Sequence, residues 1–445
     1  MVLMYLGLFI DSPEILKPEL KGILIGEKVA NGLNLYVDVV DWYAPLAGWF
    51  EGLFNIIFGR SLFARHILAF FIIFSQAAFL GLVFIDKKAY AEYSFVPSLL
   101  YVLLFFFSFD TLTLSPELLG NGFLLLALNN LFKEVEFREQ QNETTFNLGL
   151  FIGFASLFVF SYILFLFAAL IVLVVYTRNE IRRFLLMMFG ALLPHILVFC
   201  FYLLKDGQDQ IWTYYYIPNL SFHAERLISF NSMIILGALP IFFLVISMIM
   251  LNREARFTKY QSQLLQVMFF WMIFGFLQIL YSKDTRPQSA ITLIPSFSFY
   301  IAHYLLLIRR RRLAELSFLI LLTGLISISY LSRYGKVRGV NYESMTLQQS
   351  SKEVKNKKVV VLDNDMSWYK ENSLGSSFLN WRLAENVFKE PDYYENVLLV
   401  AGAFKRDPPD IIIDPHHLMR SFLHKIPALK NTYRQTSLGY QKINN

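Results

Sequence analysis

Long apolar runs separated by short charged loops fill the first three quarters of the chain, at 63–85, 93–109, 184–204, 233–251 and 313–331. Each is close to or above the ~18–20 residues that cross a bilayer as a helix. A further run, 146–176, is long enough for two crossings and is expected to break near Ser161 and Tyr162. With 1–10 as a short first helix, the pattern predicts a mainly α polytopic membrane protein of about eleven transmembrane helices. The stretch after 340 has no such run. There KKVVVLD (357–363), NVLLVAG (396–402) and DIIID (410–414) read as short buried strands, and WRLAENVF and HHLMRSFLHKIPAL as helices between and after them. The expected organisation is a transmembrane domain, 1–340, with a first outer loop at 11–62, and a small α/β domain at 341–445.

Composition agrees with the pattern. Hydrophobic residues make up 56% of the 445 positions and charged ones 17%, against about a quarter charged in soluble chains. Charge then orients the chain. Fourteen basic residues (Lys87, Lys88, Lys133, Arg138, Arg178, Arg182, Arg183, Arg253, Arg256, Lys259 and Arg309 to Arg312) fall in the short loops of one side. Only Lys205, Arg226, Lys283 and Arg286 fall in those opposite. The positive-inside rule makes the first side cytoplasmic, so a multi-pass protein of the cytoplasmic (inner) membrane is expected, with 11–62, 205–230 and the C-terminal domain outside. The net charge of +6 is accounted for by this topology signal and calls for no nucleic acid. The one cysteine, Cys200, permits no intramolecular disulfide. No glycine-rich phosphate loop follows any of the expected strands, which argues against a nucleotide site.

The outer loops carry the unusual chemistry. In 18–33, apolar Leu20, Ile23, Leu24, Val29 and Leu33 recur at near-helical spacing, as in a helix lying in the membrane interface. Beyond it LYVDVVDWYAPL (35–46) sets Asp38 and Asp41 among aromatic rings suited to headgroup depth. WTYYYIPNLSFHAERL (212–227) is a second aromatic loop, with Tyr214, Tyr215, His223 and Glu225. His66, His195 and His303 stand alone in apolar helices, and His416 and His417 are adjacent, so their side chains diverge. No metal site is expected from them.

The run GLNLYVDVVDWYAPLAGWFEGLFNIIFGRSLFARHILAFF resembles the first outer loop and second helix of the GT-C glycosyltransferases, a superfamily including protein O-mannosyltransferases and lipid A aminoarabinose transferases. Gly32, Tyr36, Asp38, Asp41, Pro45, Leu46, Phe58, Gly59 and Ser61 fill the places of that pattern. The 148–176 segment resembles the broken helix pair in the middle of these proteins, and PPDIIIDPHHLM resembles the outer C-terminal domain of bacterial members. The chain also resembles multi-pass proteins of Bacteroidota.

The resemblance implies transfer of a sugar from a polyprenyl phosphate or diphosphate donor to an acceptor on the outer face of the membrane. It also implies roles. Where the family carries an acidic pair ahead of its Y-x-D element, this chain has Pro18 and Glu19, which leaves Glu19 as general base; a shift in register offers Asp11 or Glu14 instead. Asp38 and Asp41 would position donor or acceptor. Arg286, at the outer end of the helix starting near Gln288, and Lys283 would bind the donor phosphate. Tyr36, Tyr214, Tyr215, His223 and Glu225 would line the substrate. Some members need a divalent cation and others none, and the sequence leaves that open. The missing acid at Pro18 equally fits a non-catalytic protein of the same fold that binds membrane lipid or scaffolds an envelope complex.

Overall fold

The computed structural model describes residues 13–136, 141–176, 181–222, 225–254, 257–347 and 354–443. The expected first helix, 1–10, and Asp11 lie outside the described residues. Two compact units emerge. One comprises Ser61–Val198 and Phe222–Ser344; the other joins Glu14–Arg60, Phe199–Ser221 and the C-terminal Met345–Asn445. The first outer loop, read from sequence as part of a transmembrane domain ending at 340, packs with the C-terminal residues.

The first unit is a helical membrane body. Six described helices are long and apolar enough to cross a bilayer: Leu62–Asp86, Ile181–Leu203, Phe230–Arg253, Lys259–Tyr281, Pro287–Leu307 and Arg311–Arg333. Their starts follow local chemistry. Ser61 accepts a hydrogen bond from the Ala64 N–H, and Thr258 with Gln261 forms a capping box ahead of Lys259–Tyr281. The 146–176 run breaks where expected: the helix Asn142–Ser156 stops, a 3-10 turn Phe160–Leu164 follows, and the helix resumes as Phe165–Tyr176.

Small residues bring helices together here. An ideal Cβ on Gly149 would sit 1.9 Å from the Met187 carbonyl oxygen, one on Gly153 2.4 Å from that of Ala191, and one on Gly190 2.3 Å from that of Phe146. The helices 142–156 and 181–203 therefore meet backbone to backbone, as small-xxx-small packing permits in a membrane. Buried side-chain networks add direction. Tyr101 donates to Gln76 Oε1 at 2.7 Å, and Asn121 donates to Gln76 Oε1 at 3.1 Å and to the Tyr101 hydroxyl at 2.8 Å. Gln278 donates to Ser161 and accepts from Thr292.

In the second unit, the helix Lys17–Ala30 forms as its sequence predicts, but its apolar stripe faces protein: Leu20, Ile23, Leu24 and Ile25 are buried. It packs on Pro45–Phe58 through glycines on both sides. A Cβ on Gly26 would lie 2.6 Å from the Glu51 carbonyl oxygen, and one on Gly52 2.5 Å from Val29 Cγ1. The opposite face of Pro45–Phe58 leaves Leu53, Ile56 and Ile57 exposed. Arg60 then joins the loop to the C-terminal residues: it pairs with Glu27 and donates to the carbonyls of Tyr369 at 3.1 Å and Asn372 at 2.8 Å.

The C-terminal sheet has five strands in the order Ser373–Leu374, Lys358–Val361, Ile411–Ile413, Gly439–Lys442, Tyr433–Thr436. The first three are parallel and the last two form an antiparallel hairpin beside them. The strands expected at 357–363 and 410–414 are present. NVLLVAG is not a strand; it lies in the helix Tyr394–Arg406, which buries Val400, Ala403 and Phe404 on one face and exposes Leu398. That i, i+3, i+4 spacing is helical, and Leu and Ala favour it. The helix expected over HHLMRSFLHKIPAL is divided at Ile426 into Met419–Lys425 and Pro427–Thr432, because Pro427 cannot continue a helix from its interior.

Candidate active site

The connection between the helices Val96–Leu104 and Pro116–Val135 reads FFFSFDTLTLS, with polar residues threaded through an otherwise apolar segment. Ser115 caps the second helix by accepting from the Leu118 N–H at 3.2 Å, and Pro116 presets its first turn. Glu117 is thereby fixed at a helix start. It accepts from Arg286 through Nε at 2.9 Å and through Nη2 at 2.7 Å to each carboxylate oxygen. Both side chains are buried, Arg286 at 7% exposure and Glu117 at 4%. Arg286 precedes the 3-10 turn Pro287–Leu293.

Further buried polar groups adjoin this pair. Ser108 donates to Asp110 Oδ1, and its hydroxyl lies 2.8 Å from that of Tyr342. Gln288 donates to the Asp110 carbonyl at 2.6 Å. Arg65, 1% exposed, donates to the Leu114 carbonyl at 3.3 Å. Among the described residues, Asp110 Oδ2 and Gln288 Oε1 have no hydrogen-bond partner. Burial pushes the Asp110 carboxyl up to about 6, against the opposing effects of the Ser108 bond and the Arg286 charge. Ionisable groups clustered and buried at the edge of a membrane are costly to keep and mark functional regions.

The raised Asp110 value makes a pH prediction. A carboxyl whose folded value lies above its unfolded value near 4 adds stability that is complete below about 4. That stability is lost as pH rises through about 6. Thermal unfolding of the detergent-solubilised protein between pH 4 and 7 should therefore show stability falling across this window, and Asp110→Asn should flatten the fall. An unchanged slope in the variant assigns the titration elsewhere.

In the same unit, Lys283 and Glu225 meet in the main chain. The Glu225 N–H donates to the Lys283 carbonyl at 2.6 Å, within a two-strand ribbon pairing Glu225–Arg226 with Asp284–Thr285. His223 lies outside the described residues.

The remaining residues singled out from sequence lie in the second unit. Tyr36 adopts a positive φ of 66°, and its N–H donates to the Val39 carbonyl at 2.8 Å, closing a tight loop. Asp38 holds that loop: it accepts from the Asn34 N–H at 2.9 Å and from Arg406 Nη1 at 2.7 Å. Asp41, fully buried, accepts from the Tyr43 N–H at 2.8 Å and pairs with Lys21 at 3.0 Å. Lys21 also lies over the Trp42 ring. The Tyr36 hydroxyl donates to the Tyr43 carbonyl at 2.6 Å, and its ring packs on Tyr202 and Tyr215 at 5.2 and 5.7 Å. Burial holds the Tyr36 and Tyr215 phenols well above their ordinary range. Tyr214 is half-buried, as is Glu19, which sits in the first turn of Lys17–Ala30.

The structure thus brings Tyr36, Asp38, Asp41 and Tyr215 into one bonded loop cluster, and Lys283, Glu225 and Arg286 into one short stretch of the membrane unit. Sequence reasoning missed Arg65, Ser108, Asp110 and Tyr342. The signal for two of them, Ser108 and Asp110, was a serine and an aspartate ahead of a Ser-Pro-Glu, inside a run rich in Phe and Leu. Asp414 caps a helix, accepting from the Leu418 and Met419 N–H groups at 2.9 Å each. Among the described residues no three His, Cys, Asp or Glu side chains converge.

No protein-family model and no curated protein matches the chain. Its fold is similar to that of ArnT from Cupriavidus metallidurans solved bound to undecaprenyl phosphate, with 15% identity and a TM-score of 0.53 over 73% of this chain and 62% of that one. The apo structure of the same protein gives 13% identity and a TM-score of 0.50 over 72% of this chain and 61% of that one. The chain therefore spans less than two thirds of the structures it resembles. At this identity the likeness establishes the fold alone, a polytopic membrane architecture like that of the two ArnT structures.

Proposed function

We propose that the protein is an integral membrane glycosyltransferase that moves a sugar from a polyprenyl phosphate or diphosphate donor to a cell-envelope acceptor on the outer face of the membrane. One observation carries the reading: a fold like that of a protein solved with undecaprenyl phosphate holds a buried cluster of ionisable groups, Arg286–Glu117 with Asp110, at a helix start in its membrane unit. A helix start and a guanidinium both favour an anion. In this reading Arg286 and Lys283 meet the donor phosphate, and Glu117 sets the orientation of the Arg286 fork.

Glu19 is the proposed base. It takes the proton from an acceptor hydroxyl or amine as that group bonds to the anomeric carbon; the carbon–oxygen bond to the lipid phosphate breaks, and the lipid leaves as its phosphate. Asp38 and Asp41 act by holding their loop, braced by Tyr36 and Tyr215, while Tyr214, His223 and Glu225 contact substrate. In membranes supplied with donor, Glu19→Gln should cut release of polyprenyl phosphate by at least about 100-fold, the usual worth of a general base, with donor binding retained. Turnover equal to the parent removes Glu19 from the mechanism.

A second reading, a non-catalytic protein that binds lipid or scaffolds an envelope complex, is favoured by the engagement of both loop aspartates in internal ion pairs with Arg406 and Lys21, and by Pro18 in place of an acid. It predicts binding of polyprenyl phosphate with no turnover.

A further inference from the structure

The loop between the helices Lys17–Ala30 and Pro45–Phe58 is held in a conformation that its own residues do not favour. Tyr36 stands at a φ of 66°, in the left-handed region that a residue with a bulky side chain seldom occupies unless its surroundings impose it. Within the loop, the Asp38 N–H donates to the Asn34 carbonyl at 2.8 Å and the Asn34 N–H to Asp38 Oδ2 at 2.9 Å. The remaining restraint comes from the C-terminal residues.

Arg406 and Asp407, at the end of the helix Tyr394–Arg406, reach the loop and the helix before it. Arg406 Nη1 donates to Asp38 Oδ1 at 2.7 Å and to the Val37 carbonyl at 3.3 Å. Asp407 accepts from Lys28, in the last turn of Lys17–Ala30, and from Lys358 at 2.8 Å. The Lys28 ammonium also donates to the Ser376 carbonyl at 3.1 Å. Lys28 is 4% exposed, so its charge depends on these oxygens in place of water. A backbone exchange completes the hold: the Val40 N–H donates to the Ser377 carbonyl at 2.8 Å, and the Asn380 N–H to the Val40 carbonyl at 3.3 Å.

The same loop leads to the proposed base. Asp41, three residues past Asp38, pairs with Lys21, which follows Glu19 by two positions on the helix Lys17–Ala30. A shift of the turn at Asp38 therefore passes along a few residues of backbone to the ion pair beside Glu19.

We infer that Arg406 is a positioning residue for the proposed transfer: acting through Asp38 and the Val37 carbonyl, it sets the loop that orients Tyr36 and, through Asp41 and Lys21, the base. Asp407, with Lys28, fixes the helix end from which the loop departs. The inference rests on the glycosyltransferase reading and gives the C-terminal residues a part in it. One guanidinium nitrogen makes both Arg406 contacts, so the site is not bidentate and an ammonium can replace it. An uncharged side chain of similar length cannot.

The test compares the full-length parent, Arg406→Met and Arg406→Lys in detergent, by amide hydrogen exchange and by release of polyprenyl phosphate from donor lipid extracted from the membranes of the protein's own cells. In Arg406→Met, peptides covering 34–41 should exchange about two- to fivefold faster, the range for a charged pair with one partner half exposed. Exchange of the strand Ile411–Ile413 and the melting temperature should match the parent, and Arg406→Lys should restore the loop. Release at saturating donor should slow by a similar factor in Arg406→Met with KM for the donor unchanged, because Arg286 and Lys283 belong to the other unit. Unchanged loop exchange in Arg406→Met overturns the positioning role and leaves the glycosyltransferase reading as it stands. A loosened loop with parent-like turnover overturns the positioning role as well. A parent that releases no polyprenyl phosphate, with the loop loosened by methionine and restored by lysine, overturns the glycosyltransferase reading and supports the hold of Arg406 on the loop.

Discussion

Arg286→Ala should lower the stability of the membrane unit by about 3–5 kcal/mol, because it strands a buried carboxylate. Glu117 is 4% exposed and both its oxygens accept from the guanidinium. Removing one partner of such a pair leaves a charge with neither water nor counter-ion. Arg286→Lys keeps the charge but loses the two-point geometry, so an intermediate loss is expected. The double variant Glu117→Gln with Arg286→Met should recover much of the loss, since it leaves no isolated charge. Thermal melts of the four proteins in one detergent check the order: parent, double variant, Arg286→Lys, Arg286→Ala. If Arg286→Ala melts with the parent, the pair has no structural weight. The pair also bears on function, because a donor phosphate approaching Arg286 competes with Glu117 for the same N–H groups.

Gly149→Ala should be nearly as damaging. A methyl group there collides with the Met187 carbonyl at 1.9 Å, and a carbonyl fixed in a helix cannot swing away. The helices 142–156 and 181–203 must part, at a cost of about 1–3 kcal/mol as overpacking, even after the gain of up to about 1 kcal/mol from helix propensity. Gly237→Ala is the matched control, since its methyl meets only a side-chain tip, and it should be neutral or slightly stabilising. Equal melting temperatures for the two alanine variants would show that the close approach carries no energy.

How much the sequence discloses depends on how local the cause is. The apolar runs, the break around Ser161, and the strands at 358–361 and 411–413 all arise from the residues that form them. A short apolar run such as 396–402 is ambiguous between strand and helix until its buried face is known. Pairing at a distance is not legible at all. Asp38 meets Arg406 and Glu117 meets Arg286 across 368 and 169 residues, and nothing in the composition of either stretch names its partner. The two aspartates, conspicuous in sequence as candidates, pair with Arg406 and Lys21, which their own stretch does not disclose. Asp110, whose surroundings are the more unusual, lay hidden among phenylalanines.

The central claim is that this fold transfers a sugar from a polyprenyl-linked donor. It is tested most directly by following the donor. Purified full-length protein in phospholipid vesicles is supplied with polyprenyl-linked sugars extracted from the membranes of its own cells, together with an envelope glycan fraction, and the lipids are analysed by mass spectrometry over time. The account predicts that sugar-bearing polyprenyl lipid disappears as free polyprenyl phosphate or diphosphate accumulates, in parent vesicles and not in Glu19→Gln vesicles. Donor that stays intact in the presence of parent protein would contradict it.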